Sequence, residues 1–90
     1  MTLQEVNNFQ KHLESSEYTE AISLAKSIIE PFISKDEKEY TESDISFINT
    51  SIPLIFKKLF LIGSKQRKIA QSMISFVENY LILIVKMNLN

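Results

Sequence analysis

The 90-residue chain contains no cysteine, no tryptophan, one glycine, two prolines and one histidine. Without cysteine there is no disulfide framework, no thiolate zinc or iron–sulfur site and no thiol nucleophile. A chain this small must therefore gain stability from long packed helices or from self-association. A lone glycine, Gly63, leaves no Gly-rich loop to bring backbone amides close to a phosphate, which excludes Rossmann and P-loop nucleotide sites. The frequent Gly, Pro, Asn-Gly or Asp-Gly turns of all-β folds are missing too. The expectation is one all-α domain spanning residues 1–90.

Long apolar runs are also missing. The longest, Tyr80–Val85, has six residues against the roughly 20 that a bilayer span needs, so no membrane span is expected. The first twenty residues carry Glu5, Glu14, Glu17 and Glu20 and nothing resembling a signal peptide, which points to the cytoplasm. What the chain does have is segregated charge. Residues 1–45 hold ten acids against four lysines, a balance of −6, whereas residues 46–90 hold six Lys and Arg against Glu78 alone, a balance of +5. The overall net charge of −1 conceals this division.

Periodicity divides the chain into four amphipathic helices at about 2–15, 17–34, 42–62 and 64–88, arranged as an antiparallel four-helix bundle. Thr2 with Glu5 forms a capping box ahead of Leu3, Val6, Phe9 and Leu13. Ser15 or Ser16 is placed to cap the second helix, which Pro31 kinks or interrupts. Thr41 with Asp44 caps the third, where Ile45, Ile48, Ile52, Ile55, Leu59 and Ile62 step by three and four. Pro53 either kinks this helix or starts a new one after Ser51. Gly63 suits a left-handed stop, and Ser64 a cap for the fourth helix.

Catalytic chemistry finds little material. His12 is the only histidine, and the acids of residues 36–44 lack the alternating oxygens and glycine of a calcium loop. No catalytic residue, metal or cofactor is expected. Two charged patches are instead the candidates for binding a protein partner. One is the acidic segment with Glu37, Glu39, Tyr40, Glu42 and Asp44. The other is the basic junction of Lys57, Lys58, Lys65, Arg67 and Lys68, whose partner is an acidic protein, nucleic acid, an anionic membrane, or the acidic half of the same chain. Read as a helix-turn-helix, the junction puts Gly63 in the turn and Lys65, Gln66 and Arg67 outward, which makes DNA binding the alternative function. The all-round apolar segment with Tyr80, Leu81, Leu83 and Ile84 is expected to contact another chain, as a homodimer seam.

The stretch Ser16 to Ile29, with Tyr18 and Ala21, resembles the turn of a tetratricopeptide half-repeat and implies a helical hairpin. Thr50 to Phe56, TSIPLIF, followed by Lys57, Lys58 and Leu59, resembles the turn and third-helix start of the small bacteriocin immunity proteins. Leu13 to Tyr18, LESSEY, is similar to a helix–helix turn of the same group. That resemblance implies a cytoplasmic antiparallel four-helix bundle that neutralises a toxin or its receptor complex; it assigns no individual residue a role. An immunity or inhibitor protein is thus the leading expectation, with a small secretion chaperone as a further bind-and-hold alternative.

Overall fold

The structure, a computed structural model, describes residues 2–88, apart from the side chains of Thr2, Leu3 and Glu37. Four α-helices, α1 (Thr2–Glu14), α2 (Tyr18–Ser34), α3 (Glu42–Gly63) and α4 (Arg67–Asn88), are joined by short connections, one of which holds a 3₁₀ turn at Glu37–Glu39. No strand occurs among the described residues. The all-α four-helix bundle expected from the periodicity is present; the capping role of Thr2 lies outside the described side chains.

The α1–α2 turn is built differently from the serine cap expected for it. Ser16 sits at φ 61°, its amide donates to the Leu13 carbonyl, and the Glu17 amide donates to the His12 carbonyl over 2.8 Å. These two bonds form a Schellman motif that ends α1. Ser16 therefore terminates the first helix, and Glu17 occupies the N-cap of α2 without a side-chain capping bond. A left-handed serine costs about 1–2 kcal/mol, partly offset in a Ser16→Gly variant by the greater backbone entropy of glycine. Ser16→Gly is expected to gain about 0.5–1 kcal/mol, seen as a raised urea midpoint with an unchanged slope.

At the opposite end, Thr41 and Asp44 form the expected capping box, with the Asp44 amide donating to Thr41 Oγ1 over 3.1 Å and the Thr41 amide to Asp44 Oδ2 over 3.0 Å. α3 then runs through Pro53 as one helix, so Pro53 starts no new element. Gly63 is its last residue and is not left-handed. Its value is closeness: a Cβ there would sit 2.7 Å from Met73 Sδ and 3.7 Å from the Ala70 backbone. Ser64 belongs to the end of α3, donating to the Leu61 carbonyl over 2.8 Å. The first turn of α4 is instead received by the Gln66 carbonyl, which accepts from the Ile69 and Ala70 amides. α4 thus starts at Arg67 rather than at residue 64, and Lys65 lies in the connection.

Gly63→Ala gains about 0.5–1 kcal/mol of helix propensity, and the Met73 thioether it crowds is the movable end of a flexible side chain beside a groove, so the two effects are expected to offset to within about 1 kcal/mol. In a Met73→Ala background the same change should be neutral or stabilising, which a double-mutant cycle on urea unfolding reads directly.

Chain neighbours run antiparallel, while α2 and α4 run in the same direction and make the most extensive interhelix contact. Lys86, near the end of α4, donates to the Ile33 and Lys35 carbonyls at the end of α2, fixing that alignment. The fold is therefore two stacked helical hairpins, α1–α2 and α3–α4. Phe9, Ile28, Ile29, Ile52, Ile55, Leu59, Phe76 and Leu83 fill the space between them with essentially no exposure.

Candidate functional site

The acidic segment leaves α2 and leads into α3. Tyr40, half-buried, donates its hydroxyl to the Phe32 carbonyl, and Lys35 Nζ pairs with Asp44 Oδ2 at 2.8 Å. Phe47 stacks on Phe32 beneath them, centroids 5.5 Å apart. Tyr40 and Asp44, read from sequence as partner-binding, thus anchor the connection to α2. Glu39 and Glu42 are exposed, and the side chain of Glu37 lies outside the described residues. The Lys35 ammonium, helped by the Thr41 amide, holds the Asp44 carboxyl below the usual aspartate range. A depressed folded pKa adds stability above the unfolded value and loses it as pH falls through the folded one. Asp44→Asn should therefore flatten the acid limb of a stability–pH profile below about pH 4 and leave differences among pH values above about 5 unchanged.

The basic residues occupy the other end of α3, where Lys57, Lys65, Arg67 and Lys68 are exposed and Lys58 is half-exposed. None of the five takes part in an ion pair among the described residues. The length of α3 separates Lys65, Arg67 and Lys68 from the acidic segment by about 30 Å, and Lys57 and Lys58, within the helix, lie about 22–24 Å from Glu42 at 1.5 Å per residue, so the two patches of one chain do not neutralise each other. Nor does the junction form a helix-turn-helix. α3 and α4 pack antiparallel along their length, with Phe56 stacked on Tyr80 at 4.7 Å and Pro53 beside Ile84, instead of crossing at about 90–120°.

Catalytic groupings do not assemble. His12 Nδ1 lies 2.9 Å from Glu17 Oε1 across the Schellman turn, partly exposed. A cleft of about 570 Å³ between α2 and the start of α3 has Lys35 and Asp44 at its mouth, already paired with each other. No cluster of three metal-binding side chains occurs among the described residues.

The feature that stands out is apolar. Among the described residues, eight large hydrophobic side chains are 37–59% exposed, and all lie on the second hairpin: Leu54, Phe60 and Leu61 on α3, and Ile74, Leu81, Ile82, Ile84 and Val85 on α4. Phe60, Gly63, Ala70, Met73, Ile74 and Val77 line a groove of about 340 Å³ whose only polar side chains are Ser64 and Glu78. Isolated exposed hydrophobics are ordinary on a protein surface; a concentration on one face marks an interaction site.

The residues read as a dimer seam divide here. Leu81 and Ile84 are exposed, but Leu83 is fully buried in the core and Tyr80 is half-buried against Phe56. The reason is helical phase. In α4 the positions 69, 73, 76, 80, 83 and 87 face the core, and a second stripe one residue on, at 70, 74, 77, 81, 84 and 88, faces outward. Phe60 and Ile74 were not named from the sequence; for Ile74 the second 4-3-4-3-4 spacing was there to find.

Both α3 and α4, at 22 residues each, are long and apolar enough to cross a membrane, which a count of unbroken apolar runs does not reveal. No family model, curated protein or solved structure matches the chain. The fold and the face define the class: a small helical protein with a polar first hairpin and an apolar-faced second one.

Proposed function

We propose that this protein is a non-enzymatic binding module that docks a protein partner on the outer face of α3 and α4 and blocks it, as an immunity or inhibitor protein does. The observation that carries the reading is the gathering of all eight exposed large hydrophobics on one hairpin. Flanking cations, Lys57, Lys65, Arg67 and Lys68, suit a partner with acidic residues around an apolar segment. The resemblance of TSIPLIF and LESSEY to bacteriocin immunity proteins favours a toxin, or a toxin's receptor, as that partner, and with it a cytoplasmic location.

The test takes a protein retained by the wild-type chain and lost with Ile74→Glu, and measures its activity with the chain added at a 1:1 ratio. Loss of activity supports a blocking role. Full activity in a saturated complex overturns it.

A second reading is favoured by the length and apolarity of α3 and α4: the hairpin is a membrane-seated element. Lys57 and Lys58 within α3 and Glu78 within α4 weigh against that, because a charge at bilayer depth is costly. Co-flotation of the purified chain with protein-free anionic vesicles, weakened by Ile74→Glu, would favour the membrane over the protein partner.

A further inference from the structure

We infer that, when no partner is bound, the α3–α4 face is covered by a second copy of this chain in an antiparallel two-fold dimer. The inference rests on the same face as the proposed binding role and adds its regulation: self-association hides the face, and a partner must compete with it.

The spacing of the second α4 stripe accommodates a second copy, and charge selects that copy and its orientation. The outward stripe of α4 is palindromic in spacing. Ala70, Ile74, Val77, Leu81, Ile84 and Asn88 are separated by 4, 3, 4, 3 and 4 residues. A two-fold axis crossing the helix at the level of residue 79 therefore sets Ile74 of one copy against Ile84 of the other and Val77 against Leu81, each knob meeting a knob of the same stripe. Ile74 is 56% exposed and Ile84, beside Pro53, 37% exposed.

Charge supplies the second argument. Along the second hairpin, exposed Glu42 lies at the α3 start, with exposed Asp36 and Glu39 in the connection before it, and Lys65, Arg67 and Lys68 gather at the α3–α4 turn. A parallel pair would set the basic turn of one copy against the basic turn of the other. The antiparallel pair instead brings each basic turn toward the acidic start of the opposite α3. Of the lysines near the acidic end, Lys86 is engaged by the Ile33 and Lys35 carbonyls and Lys35 is paired with Asp44, so that exposed Lys38 stands against Asp36, Glu39 and Glu42 and the end stays acidic.

Sedimentation of the purified full-length chain should give twice the 10.4 kDa chain mass at low salt, and a falling dimer fraction as salt rises through the range that shortens the Debye length below about 8 Å. Leu81→Glu should give a monomer with unchanged far-UV circular dichroism. Since the chain has no cysteine, orientation is read cleanly by disulfide trapping. Mixed Ile74→Cys and Ile84→Cys chains should cross-link to each other. Neither should link to itself, because 10 residues of offset is about 15 Å along the helix. A monomer at all concentrations overturns the inference, as does preferential Ile74→Cys self-linking, which reports a parallel pair. The outcomes stay separable from the binding role: a monomer that still loses its partner with Ile74→Glu refutes the dimer alone. A dimer whose Leu81→Glu form keeps full partner affinity refutes the binding role at this face.

Discussion

Phe76→Ala is expected to lower the stability of the fold by about 3–5 kcal/mol, a large share of the total. Phe76 is fully buried on the core stripe of α4. Removing a buried phenylalanine side chain costs about 3–5 kcal/mol in lost transfer energy and residual cavity. A chain of 90 residues has a total stability of about 5–13 kcal/mol at 0.05–0.15 kcal/mol per residue, so one truncation removes a large share of it. Urea unfolding followed by circular dichroism and by ring-proton dispersion reads the loss. Phe60→Ala is the control. Phe60 is 59% exposed and only tilted against Phe56 at 6.2 Å, so its truncation should change stability by about 0.5 kcal/mol or less. Equal costs for the two phenylalanines would contradict the division of the second hairpin into a core stripe and an outward face.

The double variant Phe60→Glu with Ile74→Glu carries the largest expected effect on binding. The two residues stand on opposite sides of the apolar groove between α3 and α4, where a bound segment would be most fully desolvated. Central apolar anchors typically cost about 2 kcal/mol or more each when lost, so affinity for a partner should fall by a factor of about 30 for each and approach about 1,000 for the pair. Added glutamates also oppose an acidic partner. Fold stability should hold, since both side chains already face solvent. Lys57→Ala with Arg67→Ala should behave differently, lowering the association rate and its salt dependence while changing dissociation little. An apolar double variant that binds as the wild type does would move the functional face elsewhere.

Much of the fold was legible in the amino-acid order because helix signals are local. The Thr41–Asp44 capping box and the Ile48 to Leu59 stripe are read from neighbours within one or two turns, and both are realised. Gly63 and Ser16 were misassigned because their roles depend on tertiary context. Gly63 makes room for Met73 across the hairpin, and Ser16 adopts a left-handed conformation that closes α1. Charge was the strongest visible pattern, and it drew attention to Tyr40 and Asp44, which the fold uses to bind α3 to the end of α2. The apolar face was harder to see. α4 carries two hydrophobic stripes one residue apart, and nothing local says which of them a second hairpin will cover. Leu83 and Leu81 differ only in that respect.

The central claim, that the outer face of α3 and α4 is where this protein meets other molecules, is tested most directly by photo-crosslinking in the intact cell from single probes of equal length. A photoreactive residue at position 74 samples the apolar groove, and one at position 23 samples the exposed polar side of α2. The account predicts protein adducts from position 74, to a partner or a second copy, and few or none from position 23. Equal yields from the two positions, or adducts from position 23 alone, would contradict it.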